Sequence, residues 1–103
     1  ASNTAVGVEA LVSNTTASYN THVGYQAGLS NTIGPSNTSV GAGAFLDNTT
    51  GGYNATVGSN SLANNTTGNF NSALGFYALA ANTTASYNTA VGYQSAYSNT
   101  TGL

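Results

Sequence analysis

Hydrophobic and polar positions along this chain recur with one fixed period of seventeen residues. An Asn-x-x-aliphatic-Gly phrase begins at Asn3, Asn20, Asn37, Asn54, Asn71 and Asn88, with no insertion or deletion between copies. A loop absorbs a slipped residue at small cost and a stacked coil does not, so the unbroken period predicts one coil per copy. Places within the repeat are counted here from one, at that Asn, to seventeen. In Tyr19-Asn20-Thr21-His22-Val23 the alternation predicts a strand, with Tyr, Thr and Val on one face and Asn and His on the other. The place-four aliphatics Val6, Val23, Val40, Val57, Leu74 and Val91 read as the structural core. The place-five glycines Gly7, Gly24, Gly41, Gly58, Gly75 and Gly92 read as the turn that ends each strand. Small residues at place eight, such as Ala27, Ala44 and Ser61, suit a narrow interior. A second, less regular extended stretch is expected over places six to eleven. The Asn-Thr-Thr-Gly or Asn-Thr-Thr-Ala block then returns the chain.

The predicted fold is all-β, a parallel β-solenoid (β-roll or β-helix) of six rungs. It forms one repeat domain over 1–103, with repeats at 3–19, 20–36, 37–53, 54–70, 71–87 and 88–103. Seventeen residues is short for a helical hairpin, and Asn, Thr and Gly are weak helix formers. Rungs stacked at about 4.8 Å align like residues vertically, and six span about 29 Å. Two Asn columns are then expected to form side-chain amide ladders: Asn3, Asn20, Asn37, Asn54, Asn71, Asn88 and Asn14, Asn31, Asn48, Asn65, Asn82, Asn99. Neither end carries a charged or Pro-rich plug. The segment is therefore expected to continue, within a longer fibre or by stacking of copies.

Composition narrows the function. The chain has no Lys or Arg, and its only acids are Glu9 and Asp47. That excludes phosphate-backbone recognition, which needs cationic side chains, and attraction to anionic lipid. No apolar run approaches the roughly 18 residues of a membrane-spanning helix. Seven Tyr, three Phe and the recurrent Val argue for order over disorder.

Candidate chemistry is sparse. His22 is the only His, and neither acid shares its repeat, so a general base without a partner is not expected to act. Glu9 and Asp47 are too far apart in the repeat pattern to pair, and ligands for a metal are too few. No catalytic, metal or cofactor site is expected, and the chain reads as a non-enzyme. Gly41-Ala42-Gly43 lacks the spacing and Lys of a phosphate loop. The Asn-Thr-Thr block has two readings: turn chemistry, or glycosylation sequons at Asn14, Asn48, Asn65, Asn82 and Asn99, with further sequons at Asn37, Asn54 and Asn64. Tyr25, Phe76, Tyr77, Tyr93 and Tyr97 could form an apolar surface for self-contact or for a ligand.

The phrases Asn20-Thr21-His22-Val23-Gly24-Tyr25-Gln26-Ala27 and Asn88-Thr89-Ala90-Val91-Gly92-Tyr93-Gln94-Ser95 resemble repeats of bacteriophage tail fibres and related bacterial surface proteins. More distantly, they resemble head repeats of trimeric autotransporter adhesins. The adhesin resemblance implies a left-handed parallel β-roll in a trimer, with the aliphatic residue packed inside, although the period here is longer. The expected function is the shaft or adhesive stalk of an extracellular, cell-surface or virion fibre. Expected partners are copies of itself, as a head-to-tail filament or parallel trimer, with cell-surface glycans as candidate ligands. The alternatives are a repeated-face solenoid binding ice or glycan, and a glycosylated surface filament. Ice is disfavoured because Thr15 and Thr16 are adjacent and would point to opposite sides of a strand.

Overall fold

The computed structural model describes residues 2–102. Six three-residue strands lie in one parallel sheet, in chain order. They are β1 (Thr4–Val6), β2 (Thr21–Val23), β3 (Thr38–Val40), β4 (Ala55–Val57), β5 (Ser72–Leu74) and β6 (Thr89–Val91). Their register is the sequence period itself: Thr21 pairs with Thr38 and Val23 with Val40, and the same offset holds at every junction. The molecule is thus the parallel β-solenoid that the period predicts. Its longest dimension of 31 Å matches six rungs at about 4.8 Å each.

The rest of each coil is not extended, which corrects two expectations. Places seven, nine and seventeen take left-handed backbone even without Gly, as at Asn60 (φ 57°), Leu62 (φ 50°) and Phe70 (φ 57°). Place seventeen therefore turns into the strand instead of lying in it, and places six to eleven form turns. A closed coil of seventeen residues has to turn repeatedly, and isolated left-handed residues turn the chain tightly. Each costs about 1–2 kcal/mol for a residue with a Cβ. The conformation persists because coil-to-coil hydrogen bonds continue round the turns. Leu62 N–H donates to the Ala78 carbonyl at 2.8 Å, and Thr66 N–H to that of Thr83 at 2.8 Å.

Gly58, at the end of β4, has a φ of 131°. A Cβ there would stand 2.6 Å from the Gly75 carbonyl oxygen of the next coil. Two constraints thus coincide at place five: an unfavourable φ and a backbone stacked directly beneath.

The larger correction concerns the inside of the coil. Val6, Leu74 and Val91 are 57%, 50% and 68% exposed, and Val40 and Val57 also face outward. Within the strands it is the middle residue that is buried: His22, Ser39, Thr56, Ala73 and Ala90. The alternation was legible, but its inward side was assigned the wrong way round. The reason is the Asn at place one. Its amide bonds the buried place-fifteen carbonyl of its own coil, as Asn54 does that of Gly68, so places one and three point in and strand parity forces places two and four out.

The interior is filled by complementary pairs at places three and nine. Ser39 accompanies Phe45, Thr56 accompanies Leu62, Ala73 accompanies Leu79, and His22 accompanies Gly28. Phe45, Leu62 and Leu79 are fully buried and form the apolar core with Ala73, Ala78 and Ala90. A Cβ on Gly28 would lie 2.5 Å from His22 Nδ1, so the imidazole occupies the space that a side chain at place nine fills in other coils. A large side chain at one of the two places thus goes with a smaller one at the other in the coils from His22 to Leu79.

Candidate functional site

Two Asn side chains close each coil from within. In the coil 54–70, Asn54 Nδ2 donates to the Gly68 carbonyl at 2.9 Å, and Asn65 Nδ2 donates to that same oxygen at 3.1 Å. The motif repeats at Gly34 with Asn20 and Asn31, at Gly51 with Asn37 and Asn48, and at Ala85 with Asn71 and Asn82. Asn3 with Asn14, and Asn88 with Asn99, do likewise at Ala17 and Gly102. A buried carbonyl has two lone pairs, and here both are used.

The two columns differ in how they link one coil to another. Asn48, Asn65 and Asn82 form the expected amide ladder, each Nδ2 donating to the Oδ1 of the Asn one coil earlier at 2.7–2.9 Å. Asn99 extends it at 3.3 Å. The place-one column works mainly through backbone: Asn37 Oδ1 accepts the Asn54 N–H at 2.9 Å, and Asn54 Oδ1 accepts that of Asn71 at 2.8 Å. Its predicted amide-to-amide ladder appears at one step, Asn54 Nδ2 to Asn37 Oδ1 at 3.1 Å. Its amides are otherwise committed to the place-fifteen carbonyls.

This arrangement corrects the glycosylation reading. Asn48, Asn65 and Asn82 are fully buried, with Nδ2 engaged twice, so the folded coil has no room for a glycan there. Asn37 and Asn54 are buried in the same way. Asn14 and Asn99 are half-buried, and their Nδ2 atoms are also engaged. Among these sequons only Asn64 is exposed.

His22 does have a partner, a hydroxyl in place of the acid that a general base needs. Ser39, one period later at the same place, puts its Oγ 2.5 Å from His22 Nδ1. Both side chains are fully buried, and the imidazole stacks on Phe45 with ring centres 6.2 Å apart. Burial lowers the His22 pKa from 6.5 to about 4. The pair is sealed from solvent, so its geometry serves packing. Glu9 and Asp47 are exposed in different coils, and Glu9 Oε1 accepts a hydrogen bond from Gln26 Nε2 at 2.9 Å. Among the described residues no three potential metal ligands gather, and no helix is long and apolar enough to cross a membrane.

The accessible feature is the outer face of the sheet. Place two supplies a column of Thr4, Thr21, Thr38, Ala55, Ser72 and Thr89, and place four supplies the Val and Leu column beside it. Where Ala55 and Ser72 replace Thr, an apolar hollow of about 280 Å³ opens, lined also by Val57, Ala73, Leu74 and Val91. Aromatic columns run along the coil surface. Tyr53, Phe70 and Tyr87 stack at 5.0 and 5.2 Å, and Phe76 stacks on Tyr93 at 5.7 Å. Both carboxylates lie outside these columns. No protein-family model matches the chain, and no curated protein or solved structure was found similar to it.

Proposed function

We propose that this chain is a structural repeat segment, the shaft or stalk of an extracellular, cell-surface or virion fibre. The observation that carries this reading is the sameness of the coils. Each junction repeats one register and each coil one pair of Asn closures, so the backbone is a translated pattern along its length. Such an object transmits length and stiffness. Lateral association with copies of itself belongs to the same reading. Most of the larger apolar side chains lie outside, Val and Tyr above all, while Leu11, Phe45, Leu62 and Leu79 are buried. An uncharged apolar face of this kind is a docking surface in fibrous assemblies. Negative-stain or cryo-electron microscopy of native material tests the proposal directly. Rods or fibres are expected, and compact soluble particles would overturn it.

A second reading is supported by the Thr-x-Val pairs that the strands present outward. In four of the six strands they set hydroxyl and methyl groups in rows at the strand spacing of about 4.8 Å, interrupted at Ala55 and Ser72, a pattern suited to a lattice such as ice. The objection from adjacent Thr15 and Thr16 does not touch this face, which lies elsewhere on the coil. Thermal hysteresis of the purified chain decides this reading: a freezing-point gap supports it, and none at millimolar protein removes it.

A further inference from the structure

Among the described residues, the one buried titratable side chain sits at a junction between coils, in a chamber that can satisfy only its neutral form. His22 is enclosed by Gly28 of its own coil and by Ser39 and Phe45 of the next. Its Nε2 is buried with no hydrogen-bond partner. If Nδ1–H donates to Ser39 Oγ, then Nε2 is a bare nitrogen and no N–H is left unsatisfied. Protonation would place an N–H without an acceptor, and a positive charge, inside that chamber. No carboxylate is placed to compensate, because Glu9 is held at the surface by Gln26 and Asp47 is exposed. The groups against the ring are the Ser39 hydroxyl, the Phe45 ring and the Gly28 backbone, and on its other side β1 sets Ala5 opposite His22; none of these is charged.

We propose that His22 makes the junction between β2 and β3 an acid-sensitive joint, which opens locally to hydrate the imidazolium while the other coils stay closed. The other coils carry Ala, Ser or Thr at this place and contain no titratable interior group. Sensitivity is therefore confined to one place along the solenoid. The direction follows from linkage. The opened state takes up a proton near pH 6.5 and the closed state only near 4. Above 6.5 the joint is unaffected. Between 6.5 and 4 the opening equilibrium grows about tenfold per pH unit, and below 4 it levels off.

The test is hydrogen exchange followed from pH 8 to 3 on the whole chain, together with NMR titration of the His22 ring. The Thr21 and Gly28 amides, which bond to Asn37 and Ala44 across the joint, should lose protection in that window, whereas Leu62 and Leu79 keep theirs. The double variant His22→Ala/Gly28→Leu gives this coil the Ala–Leu filling of Ala73 and Leu79, and it should abolish the acid response. Place nine already accepts Leu in left-handed conformation at Leu62 and Leu79, with φ of 50° and 51°. An imidazole titrating near 6.5 in the closed coil would overturn the proposal. So would an equal acid loss at the joint in the variant. If the variant fails to fold, the wild-type ring titration and the location of lost protection decide alone.

Discussion

Asn54 and Asn65 donate to one and the same oxygen, the Gly68 carbonyl, at 2.9 and 3.1 Å. That convergence explains why so thin a solenoid buries Asn beside its apolar core. The coil turns its place-fifteen carbonyl inward, away from water, and an inward carbonyl without donors would cost about 1–3 kcal/mol. Two Asn per coil satisfy it and tie one coil to the next.

Replacing Asn65 with Ala should therefore be costly. It removes the donor to Asn48 Oδ1 at 2.8 Å and the acceptor for Asn82 Nδ2 at 2.9 Å. The expected loss is about 2–4 kcal/mol, since buried partners are left unpaired. Its exposed neighbour provides the control, because Asn64→Ala should change stability by less than about 0.5 kcal/mol. Chemical denaturation of both variants checks the contrast, and equal effects would remove the closure role.

Gly58 and Gly92 separate two costs that usually arrive together. Both have left-handed φ, 131° and 124°. A Cβ at Gly58 meets the Gly75 carbonyl at 2.6 Å, whereas one at Gly92 meets nothing nearer than Ser95 Cβ at 3.8 Å. In this chain Gly92→Ala should cost about 1–2 kcal/mol from backbone strain alone. Gly58→Ala should cost clearly more, because it also pushes two coils apart. Thermal melts showing equal losses would contradict the stacking at place five.

The period, the strand at places two to four, the Gly turn and the parallel in-register stacking were all legible from one chain. They follow from spacing, and spacing is visible in the letters. The inward side of the strand was not. Val is usually buried and Asn usually is not, so Val57 was assigned to the core and Asn54 to a ladder. What reverses them is the Gly68 carbonyl, a backbone group with no letter of its own. The His22–Ser39 contact was missed for a related reason. The search for a partner stayed within one repeat, yet in a solenoid the nearest neighbour of any place is the same place one period away. The left-handed turns at places seven and nine carried only a scattered signal: Gly43, Asn60 and Gly28 favour that conformation, whereas Leu62 does not.

Phe45 and Phe70 should respond differently to truncation. Phe45 is fully buried against His22, whereas Phe70 is 46% exposed in the outer stack with Tyr53 and Tyr87. Phe45→Ala should cost about 3–5 kcal/mol through the cavity it leaves. Phe70→Ala should cost about 1 kcal/mol, the scale of an aromatic pair with partial burial. Urea denaturation distinguishes these values readily.

If the outer face joins copies of the chain, Val57→Lys should leave the coil intact and separate the copies. Val57 is 42% exposed, so an extended Lys reaches water without disturbing the interior. Circular dichroism should be unchanged, while the mass measured by light scattering falls to that of one chain. A variant that unfolds would place Val57 inside.

The most direct test of the inside-out arrangement uses the absence of cysteine from the chain. Single variants Thr56→Cys and Val57→Cys, diluted until mass photometry shows single chains, are labelled with a maleimide. The structure predicts fast labelling at position 57, near the rate of the denatured chain, and strong protection at position 56 until the coil unfolds. Fast labelling at 56 with protection at 57 would contradict it, and would return the Val column to the core.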